Sequence, residues 1–263
     1  LVQVTEVGLY SFQTILLFGS SLLLLATFIV IESRSQAPLV PLRVFRKRTL
    51  TGANLICLLM SAAIASMLFI LTLYMQQVLG YSALQTGLAF VPHALAAMVA
   101  APIGSQLSTR VGVKATLVIG MLLLMLSLLL LSHIPTQGSF VRDLLPGTVI
   151  LGFSVVLTVV SATIAATAGI SNSEQGMASG LLNTSPQDGS AFGLAILVAA
   201  YTARTEALLA TSDRSKAALT NARVEGFQYA LALGIGFAVA GLLIALFIIR
   251  SSDCPRVKTS ALS

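Results

Sequence analysis

The sequence predicts an all-α integral membrane protein of about seven transmembrane helices. Of its 263 residues, 56% are hydrophobic and only 9% are charged, and the mean hydropathy is +0.95. Soluble domains carry roughly 25% charged residues, so a chain this apolar needs a bilayer as its solvent. The alternating polar pattern of a barrel strand is absent, and helices are therefore expected to satisfy the backbone hydrogen bonds.

Seven apolar blocks can be separated at charged and turn residues. Each block is long enough to cross about 30 Å of hydrocarbon as a helix. The blocks are 8–31, 50–77, 83–107, 114–133, 144–169, 175–202 and 227–249.

Local chemistry marks two of the block boundaries. No charged residue separates the second block from the third, so the turn from Gly80 to Ser82 has to divide them. Ser82 with Gln85 predicts a capping box at the start of the third helix, and Ser171 with Glu174 predicts another before the sixth. Four prolines are predicted to interrupt helix interiors and kink them: Pro92, Pro102, Pro146 and Pro186.

The basic residues predict the orientation, because short cytoplasmic loops carry an excess of Lys and Arg. One set of alternate connections holds ten: Arg34, Arg43, Arg46, Lys47, Arg48, Arg110, Lys114, Arg250, Arg256 and Lys258. The opposite set holds five: Arg142, Arg204, Arg214, Lys216 and Arg223. Four of those five fall in one long predicted loop from Ala203 to Gly226. We expect the C-terminus to be cytoplasmic and the N-terminus to lie outside.

Several classes of function are disfavoured. The net charge of +6 resides in short loops and forms no continuous basic stripe, so no nucleic-acid partner is expected. Cys57 and Cys254 offer neither metal-ligand spacing nor a disulfide framework. Ser179 and His93 stand in no nucleophile or metal motif, so we expect no enzyme. Retinal binding is disfavoured because every lysine is predicted to lie in a loop: Lys47, Lys114, Lys216 and Lys258.

Three segments match the pattern of one transporter family. They are Leu71-Thr-Leu-Tyr-Met-Gln-Gln-Val-Leu-Gly-Tyr-Ser-Ala-Leu-Gln-Thr-Gly-Leu-Ala-Phe-Val-Pro92, Glu32-Ser-Arg-Ser with Pro41-Leu-Arg-Val-Phe-Arg, and Gly176-Met-Ala-Ser-Gly-Leu-Leu-Asn-Thr184. They resemble parts of the fourteen-helix drug:proton antiporters of the major facilitator superfamily. The matched parts are the junction after the first helix of the C-terminal bundle, the linker from the extra helix pair, and the start of the penultimate helix. The resemblance covers about residues 15–250.

The resemblance implies the C-terminal six-helix bundle of a major facilitator fold plus one linker helix. The implied boundaries are a linker transmembrane helix at 1–32, a cytoplasmic basic loop at 33–49, the bundle at 50–250 and a cytoplasmic tail at 251–263. Such exporters enclose a midplane site between two bundles and use proton entry to drive substrate exit, without another cofactor. The implied partner is a missing N-terminal half. This fits our expectation that the chain is part of a longer protein.

Two departures from the family pattern concern charge. In the segment implied to be the cytoplasmic gating loop, with Gly104, Arg110 and Gly112, Ser108 and Thr109 stand where an acidic residue is common. This weakens the expected Asp-Arg pair. In the penultimate helix the chain reads Asn183-Thr-Ser-Pro-Gln-Asp-Gly-Ser190, which loses a basic residue and gains an acidic one.

The gained residue, Asp188, is the first candidate for the substrate or proton pathway. An ionised carboxylate at the bilayer centre costs at least about 2.5 kcal/mol, so it needs a reason to be there. As a functional residue, Asp188 would bind a cationic substrate or exchange a proton. The alternatives are a neutral or hydrated side chain that faces the cavity, or a residue that has changed by drift in a nonfunctional copy. Asn183 and Gln187 share one helix face, and together with Ser190 they predict a polar stripe.

Other polar residues in the apolar blocks have weaker claims. His93 is a candidate proton carrier, although a lone histidine more often bonds to a neighbouring helix. Gln76, Gln77 and Asn54 either line the path or bond between helices.

The sequence therefore predicts the C-terminal half of a proton-coupled exporter of amphipathic or cationic organic compounds, in a bacterial inner or plasma membrane. The alternative is a truncated, noncatalytic transporter half, or an inert remnant, that needs a partner half.

Overall fold

The computed structural model describes residues 12–35, 47–168, 170–171, 174–210 and 215–249. The chain divides into two compact units, 1–47 and 48–263. The first unit contributes the helix α1 (Phe12–Arg34). The second contributes α2 (Arg48–Gln77), α3 (Ala83–Ala89), α4 (Val91–Arg110), α5 (Val113–Leu131), α6 (Leu145–Thr167), α7 (Gln175–Ala210) and α8 (Lys216–Phe247). A π-helical turn, Phe140–Leu144, leads into α6.

Six helical segments within these ranges are long and apolar enough to cross a membrane. They are Arg48–Gln77, Ala83–Arg110, Val113–Leu131, Phe140–Thr167, Gln175–Ala210 and Lys216–Phe247. They match the last six predicted blocks, and the all-α membrane fold is confirmed. Helix α1 covers residues 12–31 of the first block but is not one of the six, so its span stays a prediction. The predicted tail at 251–263 and most of the basic loop lie outside the described residues.

The predicted turn chemistry between α2 and α3 is confirmed. Gly80 has a φ of 72°, a backbone angle that residues with a Cβ rarely adopt. Ser82 caps α3 through a complete capping box: Gln85 N donates to Ser82 Oγ at 3.2 Å, and Ser82 N donates to Gln85 Oε1 at 2.9 Å. The second predicted pair also makes contact, because Ser171 Oγ donates to Glu174 Oε2 at 2.9 Å directly before α7.

The four prolines fall into two pairs by their place in the helices. Pro102 and Pro186 lie inside α4 and α7. Pro92 and Pro146 instead stand in the first turns of α4 and α6. Proline is common in the first turn of an α-helix, and at these two positions it follows a break at Phe90 and the π-helical turn Phe140–Leu144. The segment 83–110 therefore breaks into two helices at Phe90, just before this start signal.

The predicted long loop from Ala203 to Gly226 is wrong. Helix α7 continues to Ala210 and α8 already begins at Lys216, where Ser215 caps it by accepting a 3.2 Å hydrogen bond from Ala218 N. The segment is rich in Ala, Leu, Glu, Arg and Lys, which favour helix outside the bilayer as well as inside it.

The second unit is organised around α2 and α6. Helix α2 packs against α6, α7 and α8, while α6 packs against α4, α5 and α2, and α5 also packs against α8. The C-termini of α2 and α5 lie together at one end of this bundle, which we call the Gln77 end. There Tyr74 donates a 2.6 Å hydrogen bond to Pro135 O. At the other end, the Arg110 end, Lys114 Nζ donates to Leu246 O at 2.6 Å and so caps the C-terminus of α8.

Small and hydroxyl residues hold the helices together. Ser127 Oγ donates to Gly147 O and Ser154 Oγ donates to Gly120 O, both at 2.8 Å, between α5 and α6. Ser108 and Ser161 share a buried 3.0 Å hydrogen bond between α4 and α6. Contacts of this kind replace the hydrophobic driving force that is missing between helices in lipid.

Candidate functional site

The N-terminal two thirds of α7 have two different faces. One face packs on α2, and its buried residues are Ala178, Gly189, Gly193 and Leu197. The other face points away from the bundle and is exposed. It consists of small and polar residues and one aromatic residue: Ser179, Gly180, Asn183, Thr184, Gln187, Asp188, Ala191 and Phe192. We call this set the α7 polar face.

Two glycines bring α7 into backbone contact with α2. A Cβ placed on Gly189 would lie 2.0 Å from Leu58 O, and one placed on Gly193 would lie 2.1 Å from Ala62 O. The spacing is that of a G-x-x-x-G motif, in which small residues let two membrane helices approach closely. The motif Gly189-Ser-Ala-Phe-Gly193 is present in the sequence, but it was not among the predicted features.

A partly buried hydrogen bond joins the same pair of helices one turn earlier. Ser185 Oγ donates to Asn54 Oδ1 at 2.8 Å, and Asn54 Nδ2 donates to Leu50 O at 2.9 Å. Asn54 is only 7% exposed, so its amide is engaged between helices. Ser185 is a functional candidate that sequence reasoning missed; its only signal was a hydroxyl next to Pro186 inside a predicted helix.

Two of the three residues of the predicted polar stripe, Asn183 and Gln187, lie on one exposed face. Asn183, Gln187 and Asp188 are all exposed from the bundle, whereas Ser190 is half-buried and donates a 2.8 Å hydrogen bond to Pro186 O. Asp188 lies about 20 Å along α7 from Gln175, deep within a segment apolar enough to span a membrane. The structure thus presents a carboxylic acid and two amides side by side on α7.

The remaining candidates lie elsewhere. His93 is half-buried between α4 and α6, where its Nδ1 is 3.3 Å from Thr148 O. It therefore makes a hydrogen bond to a neighbouring helix, which was the alternative to a role as proton carrier. Gln76 and Gln77 are exposed at the last turn of α2, about 33 Å along the helix from Asn54. These residues do not form one site with the α7 polar face.

The predicted gating loop is shorter than expected. Gly104 is not in a loop: it is buried inside α4, where a Cβ would lie 3.6 Å from the Leu157 Cα of α6. Arg110 is the exposed last residue of α4, and Gly112 precedes α5 with a φ of 102°. The turn itself is only the pair Val111 and Gly112, and a gating role for it stays a prediction.

The side chains of the α7 polar face are mainly hydrogen-bonding groups. Within the described residues, no group of three or more His, Cys, Asp or Glu side chains is arranged to hold a metal ion. The two amides and the carboxyl group on this face can form hydrogen bonds with a small molecule.

Comparison with known proteins gives a consistent relationship. The chain is 31% identical over 233 residues to the puromycin resistance protein pur8 of Streptomyces alboniger, covering 87% of this chain and 46% of that protein. It is 38% identical over 184 residues to the cephamycin export protein CmcT of Amycolatopsis lactamdurans, covering 68% and 37%. It is 29% identical over 200 residues to the multidrug transporter protein MdtP of Bacillus subtilis, covering 76% and 37%.

The chain thus spans less than half the length of these relatives. Residues 7–194 match the family model described as Major Facilitator Superfamily. These residues include α2 to α6, Asn54 and the whole α7 polar face. The chain belongs to the major facilitator superfamily.

Proposed function

We propose that this chain is the C-terminal half of a proton-coupled exporter that moves amphipathic or cationic organic compounds out of the cell by alternating access. The observation that carries the proposal is the α7 polar face, where Asn183, Gln187 and Asp188 are exposed on a helix apolar enough to span a membrane.

A polar face of this kind is costly if it meets lipid. An ionised Asp at the bilayer centre costs at least about 2.5 kcal/mol, and polar membrane residues therefore face a bundle interior or a water-filled cavity. In the described part of the chain, the α7 polar face points away from its own bundle. A second bundle opposite this face would provide the missing cover, and a chain that spans less than half of its relatives' length supports that arrangement.

Each residue of the face has a proposed task. Asp188 would carry a negative charge for a cationic substrate, or a proton exchanged during the cycle. Asn183 and Gln187 would offer hydrogen-bond donors and acceptors that tolerate different substrates. Asn54 would act through Ser185 by holding this part of α7 against α2.

The proposed setting follows the basic residues. The Arg110 end of the bundle, with Arg110 and Lys114, would be cytoplasmic, and the C-terminus would lie on the same side. The membrane would be the bacterial inner or plasma membrane. A proton gradient would supply the energy, and the chain would need no other cofactor.

The substrate class is supported by the names of the relatives, which refer to puromycin resistance, cephamycin export and multidrug transport. The α7 polar face supports the cationic part of the class, because Asp188 supplies the negative charge within it.

The test measures proton-driven efflux of a fluorescent organic cation from everted membrane vesicles. The 263-residue chain is expressed alone and together with the sequence encoded upstream of it. We expect transport only from the longer form, and Asp188→Asn should lower its rate at unchanged protein abundance. The matched control is Glu206→Gln, an exposed acid near the C-terminal end of the same helix, which should transport normally.

The other outcomes are equally informative. If the short chain transports alone, the proposed need for a second half is wrong. If Asp188→Asn transports at the full rate, the acidic site is wrong. If neither form moves any substrate, the alternative function, a noncatalytic transporter half, is favoured over the exporter.

A further inference from the structure

A groove lies at the Gln77 end of the bundle, between the C-terminus of α5 and helix α8. Its volume is about 390 Å³. The lining residues come from α5, α7 and α8, and the ones that matter below are Leu129, Arg204, Glu225, Tyr229, Ala232 and Ile235. We call it the α5–α8 groove.

The upper part of the groove is charged. Arg204 of α7 forms an ion pair with Glu225 of α8, and its guanidinium lies 5.9 Å from the centre of the Tyr229 ring. The two charged side chains are 43% and 46% exposed, so the pair is open to a ligand. A guanidinium has five N–H donors and a carboxylate accepts several hydrogen bonds, so both groups can bind further partners while paired.

The lower part of the groove is apolar. Ala232 and Ile235 follow Glu225 on the same face of α8, about 10 and 15 Å deeper along the helix axis. Leu129 of α5 lines the facing wall and is 47% exposed. A leaflet of the bilayer has about 15 Å of hydrocarbon, half of the full thickness. The groove therefore changes from charged to apolar over the depth of one leaflet.

The walls of the groove are fixed by hydrogen bonds. Gln228 Nε2 donates to Ile134 O at 2.8 Å, which ties α8 to the chain just after α5. Thr205 Oγ1 approaches Ala222 O at 3.5 Å, which holds α7 to α8 beside the ion pair. The groove does not depend on the α7 polar face or on transport.

We propose that the α5–α8 groove binds one phospholipid with a zwitterionic amine and phosphate head group. The phosphate would bind Arg204, the ammonium group would bind Glu225, and an acyl chain would follow Ala232 and Ile235. Charge complementarity favours this occupant, because the groove offers one cation and one anion side by side. An anionic lipid has no ammonium group for Glu225, and an organic cation has no phosphate for Arg204.

The test is native mass spectrometry of the 263-residue chain, purified in detergent, stripped of lipid and loaded with palmitoyl-oleoyl phosphatidylethanolamine or phosphatidylglycerol. We expect one retained phosphatidylethanolamine, held more tightly than phosphatidylglycerol. Arg204→Gln should weaken its binding about tenfold, as expected for the loss of one charge-assisted hydrogen bond. The control is Arg142→Gln, an 89% exposed arginine outside the groove, which should bind as the unchanged chain does.

Two further variants separate the parts of the proposal. Glu225→Gln should reverse the preference towards phosphatidylglycerol, because only the ammonium contact is lost. Ala232→Leu should reduce retention of both lipids, because the larger side chain enters the groove from an exposed position and leaves the protein core untouched. Thermal unfolding of each variant identifies any that fails to fold.

Three results would overturn the proposal. The first is equal retention by Arg204→Gln and the unchanged chain. The second is an equal loss in the Arg142→Gln control. The third is displacement of all retained lipid by tetraphenylphosphonium at micromolar concentration with no preference between the two lipids, which would assign the groove to organic cations.

Discussion

Ser185 on α7 and Asn54 on α2 are joined by a 2.8 Å hydrogen bond although 131 positions separate them in the sequence. The bond lies next to Pro186, which has no N–H and so removes one backbone hydrogen bond from α7. The side-chain contact therefore holds α7 against α2 where its own backbone is weakest. Asp188 follows less than one turn later, so its direction depends on this contact.

Replacement of the two hydrogen-bonding side chains should reveal their coupling. Asn54→Ala, Ser185→Ala and the double variant form a cycle, and we expect a coupling energy of about 0.6 kcal/mol, typical of hydrogen bonds between membrane helices. Reversible unfolding in detergent measures the four stabilities. Thr184→Ala is the control, since its hydroxyl bonds only within α7, to Leu181 O at 3.1 Å. Full additivity of the two single variants would contradict the assigned contact.

The glycines of α7 should differ sharply in their tolerance of alanine. Gly189→Ala and Gly193→Ala should each destabilise the fold by roughly 1–3 kcal/mol, because the added carbon overlaps a backbone carbonyl of α2. Gly180→Ala is the matched control on the exposed face of the same helix, where nothing lies within 4 Å. It should stabilise α7 by about 0.5–1 kcal/mol.

Thermal unfolding in detergent distinguishes these variants. Equal stability of Gly180→Ala and Gly193→Ala would mean that the two helices are not in backbone contact.

Gly112 should be irreplaceable for a different reason. A Cβ there would meet no atom within 4 Å, yet its φ of 102° and ψ of 154° belong to a region used almost only by glycine. Gly112→Ala should cost about 1–3 kcal/mol, and Gly112→Asn should give no relief because this is not the left-handed helical region that Asn accepts.

The comparison for Gly112 is Gly236→Ala, a glycine inside α8 that also has nothing within 4 Å of its added carbon. Denaturant titration of both variants should show a loss only for Gly112. A shared loss would indicate crowding rather than backbone strain.

Cysteine labelling can test whether water reaches the α7 polar face. In a background without Cys57 and Cys254, Asn183→Cys and Asp188→Cys should react with a hydrophilic maleimide in intact membranes, since the reactive thiolate needs water. Leu243→Cys, a 47% exposed apolar position on α8, should stay unlabelled in lipid. Protection of both α7 positions, with labelling restored only by detergent, would show that this face meets lipid instead.

Much of the fold followed from local chemistry. The apolar blocks, the Gly80 turn and the Ser82 capping box depend on neighbouring residues, and all three were predicted. The extension of α7 and α8 was not predicted, because charged residues occur in loops and equally in helices that continue beyond the bilayer. Pro92 was misplaced because the same residue type starts helices and kinks them.

The site was predictable only in part. The shared face of Asn183 and Gln187 follows from helical periodicity. Which partner each polar side chain finds depends on how distant helices pack, and the bonds of Asn54 to Ser185 and of His93 to Thr148 were therefore beyond local reasoning.

The two glycines of α7 also bear on how such a protein can change over generations. Only the side of α7 that contacts α2 requires glycine, at positions 189 and 193. On the opposite side, Asn183, Gln187 and Asp188 are exposed and can vary without disturbing that contact. The residues on the exposed side can therefore be exchanged during evolution while the contact between α7 and α2 is inherited unchanged.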